Sequence, residues 1–372
     1  MMGSWTETLL LVLWKTFESF SGLPLFIFVI TLIVLDTVTA EQRTFTLSRV
    51  TGLTNLGSAI SFSIGGNLTN HSSNVLPVYV VAAVIHAISL VYAAIFLPES
   101  FTREKRVNLQ RQQVESRSYG NERCSVIRYV HSAFLRVFGP LEFLKSASTE
   151  RKKSHLIYFA THIFLAQMAS GYAVVSMLVF LTTQFKYKPV DTGYLLTVLN
   201  LTRTCVLIIL IPYLVRLLRP IYLQRRRRNL REESNESTAK VDRLDLHLTI
   251  ISWVLEGLAF ILLGQAKTKP GHFTAVTLHG LSAGKDPIFR SLVASCVDPL
   301  NQTDALAAVE MVSSIGVFIS PFLMGGILTA TINTIPSLVF WVDGVIVMLA
   351  ASILLMVKDT GRTLSEAQEN ED

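Results

Sequence analysis

Long runs of apolar residues recur along the whole chain and are separated by short or charged connections. A helix needs about 20 such residues to cross roughly 30 Å of hydrocarbon, and nine windows reach or approach that length: 23–39, 45–67, 76–97, 156–184, 190–216, 246–264, 273–297, 305–330 and 335–357. A further apolar patch over 5–20 is interrupted by Lys15 and Glu18, and its core, Leu9 to Trp14, is too short and too poor in preceding basic residues for a signal peptide. Only 16% of the 372 residues are charged and half are apolar, with a mean hydropathy of +0.45. That leaves too little polar surface for a water-soluble globule of this size. The expected fold class is all-α, a polytopic helical bundle in a lipid bilayer.

Lys and Arg gather on one side of that bundle. Alternate connections (40–50, 98–155, 216–246, 298–304 and the tail from 358) hold 25 basic residues, and the opposite set holds 4. Basic loops stay cytoplasmic, so the first set faces the cytoplasm, and membrane orientation explains the net charge of +6 without a nucleic-acid partner. Four sequons occur. Asn67-Leu68-Thr69 and Asn70-His71-Ser72 fall on the outer side, where a glycosylating compartment reaches them, while Asn235 and Asn301 lie on the basic side.

The 98–155 segment is the longest hydrophilic insertion and divides the chain into a partial N-terminal bundle (1–97), a cytoplasmic central loop (98–155), a six-helix C-terminal bundle (156–358) and a tail (359–372). Within the loop, Val126, Ile127, Val130, Phe134, Leu135, Val137 and Phe138 recur near helical spacing around Arg128, His131 and Arg136. That pattern suits a helix lying along the membrane interface or one packed under the bundle. The run Arg225-Arg226-Arg227-Arg228 follows a span closely and reads as a topological anchor on anionic headgroups.

Small residues mark two helices. Gly57, Ser61 and Gly65-Gly66 lie four apart in the second span, and Gly316, Ser320-Pro321 and Gly325-Gly326 form a similar strip in the eighth. Such spacing lets helix backbones approach closely. With Asp36-(x)6-Arg43, Leu97-Pro98-Glu99-Ser100, Asp191-Thr192-Gly193-Tyr194, Arg290-Ser291-Leu292 and the basic central loop, these strips resemble the major facilitator superfamily of secondary transporters, particularly its fungal members. The strip from Gly57 to Gly66 is similar to that family's antiporter signature GxxxGPxxGG, with Ser61 and Phe62 where Gly and Pro are expected. The resemblance implies that the nine spans are helices four to twelve of a twelve-helix fold, the first three being absent. It also implies two bundles rocking about a mid-membrane site.

Charges inside the bilayer are costly and mark functional interiors. Arg203, with Asn200 and Thr202 beside it, and Glu256 lie near the middles of successive spans and are expected to pair. Lys285 and Asp286 sit midway along the seventh span among Gly280, Gly284 and Pro287, as at a broken helix lining a transport site. Asp286 and Arg290, at i and i+4, are expected to pair with each other. The family resemblance makes this span the tenth helix, which lines the central cavity, so Lys285 and Asp286 become the foremost candidates for contact with substrate or protons. Asp343 is the weaker candidate, its helix being peripheral in the family. Gln167 and Asn200 are candidates to orient a substrate. His86, His162 and His279 are either proton relays or hydrogen-bonded packing residues.

No Walker loop, HExxH or CxxC occurs, and three scattered cysteines make neither a disulfide framework nor a metal site. The expectation is therefore a monomeric multi-pass carrier of a small organic solute, with no cofactor, no metal and no enzymatic reaction. It would move its substrate down a gradient or with protons, in the plasma membrane or alternatively the vacuolar membrane. The competing expectation is a truncated, non-transporting membrane fragment of such a carrier.

Overall fold

The computed structural model describes residues 29–31, 33–34, 37–38, 42–71, 76–96, 150–218, 220, 243–297 and 302–357. These are helical almost throughout, with no strand among the described residues. The interfacial-helix segment, the Arg225–Arg228 run, Asp36, Leu97–Ser100 and the tail lie outside them.

The helices are α1 (Arg43–His71), α2 (Leu76–Phe96), α3 (Glu150–Ser170), α4 (Ala173–Gln184), α5 (Pro189–Cys205), α6 (Arg243–Gln265), α7 (Lys269–Leu281), α8 (Lys285–Ser295), α9 (Gln302–Ser320), α10 (Gly326–Thr331) and α11 (Leu338–Leu354). Four continuous stretches are long and apolar enough to cross a membrane: His155–Gln184, Pro189–Leu218, Arg243–Gln265 and Gln302–Thr331. Two of them contain a π turn. One is Val206–Leu210 at the end of α5 and the other is Pro321–Gly325 between α9 and α10. The missing N–H of Pro321 interrupts the i→i−4 ladder there, which favours the wider turn. The seventh span is not one helix. A 3₁₀ turn, Ser282–Gly284, separates α7 from α8.

Apolar side chains bury on one another in the middle of the bundle. Phe159, Leu181, Leu195, Trp253, Leu292, Phe340 and Leu354 belong to one core, and Phe159 meets Phe289 edge to face at 5.8 Å between ring centres. A smaller core joins Val206, Leu207 and Ile211 to Leu244, Leu248 and Ile288. Apolar residues also cover the outside, and α2 exposes nearly every side chain it has, Leu90 by 72%. Water would not tolerate that surface, whereas acyl chains match it.

The closest helix crossing in the N-terminal part is between α1 and α5, and it uses a stripe other than the expected one. Gly52, Ala59 and Gly66, seven residues apart, face α5. Thr204 donates to the Gly52 carbonyl at 3.2 Å and Thr197 to that of Ala59 at 3.3 Å, and a Cβ on Gly66 would stand 3.1 Å from the Cα of Gly193. Gly57 and Ser61 are exposed, and neither Gly57 nor Gly65 has an atom near its Cβ position, so only Gly66 of that strip packs. The α9 strip fares better. A Cβ on Gly316 would strike the Phe164 carbonyl at 2.7 Å, Ser320 accepts from the Tyr172 amide, and Gly325 rests on the Tyr172 ring, whereas Gly326 and Pro321 are exposed.

The sequons also differ from expectation. Helix α1 runs to His71, which puts Asn67 and Asn70 in its last turns and not in a loop. Asn67 is half-buried, donates its amide to the Ser63 carbonyl at 2.8 Å and accepts from Tyr194, so its nitrogen is engaged; Asn70 is exposed. Asp191 accepts from the Lys188 amide at the start of α5 and pairs with Lys269 at 3.1 Å. Burial and the nearby Asp191 charge raise the Tyr187 phenol above its ordinary value.

Candidate functional site

The break between α7 and α8 is where four helices close on a set of charges. A side chain at Gly280 would collide with Thr202 of α5, and one at Gly284 would meet Ile211 of the same span at 2.8 Å and Ser252 of α6 at 3.3 Å. Glycine at both positions therefore lets the broken span press between α5 and α6. Lys285 opens α8 from this seat. Its ammonium donates to both carboxylate oxygens of Glu256 and lies 4.2 Å from the centre of the Trp253 ring. Trp253 and Glu256, at i and i+3 on α6, share the face that receives it. Both members of the pair are buried.

Arg203 and Glu256 do not touch. His279 of α7 stands between them, its Nε2 2.8 Å from the Arg203 guanidinium and its Nδ1 3.8 Å from Glu256 Oε1. A guanidinium only donates, so Nε2 must be bare, and a neutral His279 carries its proton on Nδ1, directed toward Glu256. The expected direct pair fails because successive spans need not be neighbours. The long connection between α5 and α6 lets α5 pack on α1 and α7 while α6 packs on α11, α7 and α8. The result is one line of polar groups across four helices: Arg203, His279, Glu256, Lys285.

The expected Asp286–Arg290 pair is likewise replaced. Arg290 donates through Nε to Glu310 Oε1 of α9 at 2.6 Å. Glu310 has the longer stem and reaches across from the facing helix. Asp286, half-buried, stays in the first turn of α8, where the exposed amides favour a negative charge. It has no hydrogen bond or ion pair among the described residues.

Asp343 is more central than a peripheral helix would allow. Helices α6 and α11 meet backbone to backbone, since a Cβ on Gly257 would stand 2.9 Å from the Gly344 carbonyl and one on Gly344 2.7 Å from that of Gly257. This crossing buries Asp343 one residue from the contact, with Oδ1 lacking any partner, in electrostatic reach of Glu256 and Lys285.

The remaining candidates lie apart from this line. Asn200 is buried but donates to the Leu196 carbonyl of its own helix at 2.8 Å. Gln167 lies where Gly316 presses on α3. His162 bonds the Ala350 carbonyl at 2.8 Å and meets Trp253 edge-on, as a packing residue does, and His86 is exposed and bonds within α2. Beside His279 a small cavity walled by Met177, Phe260, Leu263 and Val276 leaves room for about one water.

Sequence reasoning overlooked Glu310 and Thr44. Glu310 carried the same signal as the others, a carboxylate inside an apolar stretch. Thr44 of α1 donates to Asp245 of α6 at 2.9 Å and accepts from the Ser291 hydroxyl of α8 at 2.7 Å, joining three helices. Thr44 does not stand out in sequence, and Ser291 enters only within the Arg290-Ser291-Leu292 motif.

Comparison with known proteins agrees with this architecture. The model of the Major Facilitator Superfamily matches residues 1–230. A major facilitator-type transporter of Psilocybe cyanescens, psiT1, is 34% identical over 259 residues, 64% of this chain and 54% of the relative. An uncharacterized membrane protein of Saccharomyces cerevisiae, YJL163C, is 23% identical over 167 residues, 45% of this chain and 28% of that protein. The chain thus spans about half the length, or less, of these relatives. The crystal structure of the human organic anion transporter MFSD10 (TETRAN) superposes with a TM-score of 0.60 at 15% identity, over 88% of this chain and 67% of that one, which shows a shared fold.

Proposed function

The chain belongs to the major facilitator superfamily, and from that membership we propose that it is a secondary carrier of a small organic solute working by alternating access. In this reading α1 and α2 belong to one bundle and α3 to α11 to the other. The observation that carries it is the line Arg203–His279–Glu256–Lys285, ionised and polar groups held inside a bundle whose outside is apolar. Charges are kept at that depth when they face a shared interior and act on something that passes through it. Glu256, Asp286 and Asp343 are the carboxylates placed to take a proton on one side and release it on the other, coupling proton flow to solute.

The test is uptake into proteoliposomes under an imposed pH gradient, read by mass spectrometry of the trapped solutes. The native chain should accumulate solute with the gradient. Asp286→Asn should insert normally and lose uptake, and full activity in that variant would remove Asp286 from the mechanism. A second reading, a membrane-embedded helical unit that moves nothing by itself, draws on α2, whose apolar sides meet little among the described residues beyond a brief contact with α1. A correctly inserted native chain without uptake would select it. Fluorescent tagging in a fungal cell separates a plasma-membrane rim from a vacuolar one.

A further inference from the structure

Cations of the described bundle are found beside carboxylates. Lys285 has Glu256, Arg290 has Glu310, and Lys269 has Asp191. Arg203 has none within 4.0 Å among the described residues. Among the described residues its hydrogen-bonded partner is His279 Nε2, a lone pair without charge. Glu256 is committed to Lys285, and Asp286 acts on Arg203 only from beyond ion-pair range.

The position of Arg203 makes this imbalance informative. At 100° per residue, Tyr194, Leu201 and Cys205 fall on one side of α5 and are exposed to lipid, and Arg203 falls on the opposite side, toward the interior. It is half-buried. His279 takes one of its five N–H groups, and among the described residues no other acceptor bonds the guanidinium. A half-buried cation at this depth calls for a counter-charge, and a planar guanidinium presents paired donors that match the two oxygens of a carboxylate.

We propose, resting on the carrier reading, that Arg203 is the docking point for the transported solute and that this solute is an organic anion bearing a carboxylate. His279 is a positioning residue. By accepting from one guanidinium nitrogen it fixes the plane of the fork and leaves the remaining donors aimed inward.

The test uses three probes of one skeleton and different charge: benzoate, benzyl alcohol and benzylamine. Each is titrated against the full chain in nanodiscs of zwitterionic phosphatidylcholine, so that no lipid headgroup supplies the anion, with thermal unfolding as the readout. Benzoate should raise the unfolding temperature and the other two should not. Arg203→Lys, which keeps the charge and loses the fork, should weaken benzoate about tenfold, and Arg203→Gln should abolish the shift. Equal shifts from the three probes, no benzoate shift in the native chain, or benzoate binding unchanged in Arg203→Gln would overturn the proposal. If Arg203→Gln does not elute as a folded species, unchanged benzoate affinity in Arg203→Lys overturns it instead. Failure of the carrier reading looks different: benzoate binds with these specificities but proteoliposomes take up nothing. Uptake of uncharged solutes that ignores Arg203→Lys would sink the anion assignment and leave the carrier standing.

Discussion

Glu256 and Lys285 hold each other inside the bundle, and either alone would be an uncompensated buried charge. Removing one partner of such a pair costs about 3–5 kcal/mol, whereas removing both leaves no bare charge. Glu256→Gln and Lys285→Gln should each lower the unfolding temperature markedly in detergent, and the double variant should lose less than the sum of the two. Strict additivity would mean the two charges act separately. At this scale the sequence was informative about which residues matter, because Arg203, Glu256, Lys285 and Asp286 stand out as charges in apolar runs. It was silent about who meets whom. Helical spacing places Asp286 below Arg290 but says nothing of Glu310 waiting on another helix, and depth places Arg203 level with Glu256 but not His279 between them.

Among the elements, the broken seventh span was legible from Gly280, Gly284 and Pro287, since two glycines and a proline beside mid-membrane charges disfavour a continuous helix. The packing face of α1 was not. A run of small residues shows that close approach is possible somewhere on the helix, and only the partner decides the azimuth. Here Thr197 and Thr204 bond to the backbone at Ala59 and Gly52, and the crossing follows that seam and bypasses Gly57. Overpacking a tight contact costs about 1–3 kcal/mol. Gly66→Val should therefore destabilise the protein by that order in thermal unfolding, while Gly57→Val should change little. The reverse ranking would mean that the α1–α5 contact is not the one described. The same logic makes the Gly257–Gly344 crossing the element that carries Asp343 inward.

For the molecule as a whole, apolar length and the distribution of basic residues were enough to read a polytopic helical membrane protein, and the family membership and the shared fold agree with that. Helix adjacency was out of reach, because a long connection such as the one between α5 and α6 frees consecutive spans to pack on different neighbours. The account rests on α1 separating from α8 as the carrier cycles, and Thr44 and Ser291 touch across that boundary at 2.7 Å. The decisive measurement is uptake by a chain with Cys124, Cys205 and Cys296 replaced and cysteines placed at positions 44 and 291, before and after oxidation. Cross-linking should stop uptake and reductant should restore it. Undiminished uptake by the fully cross-linked protein would contradict the account.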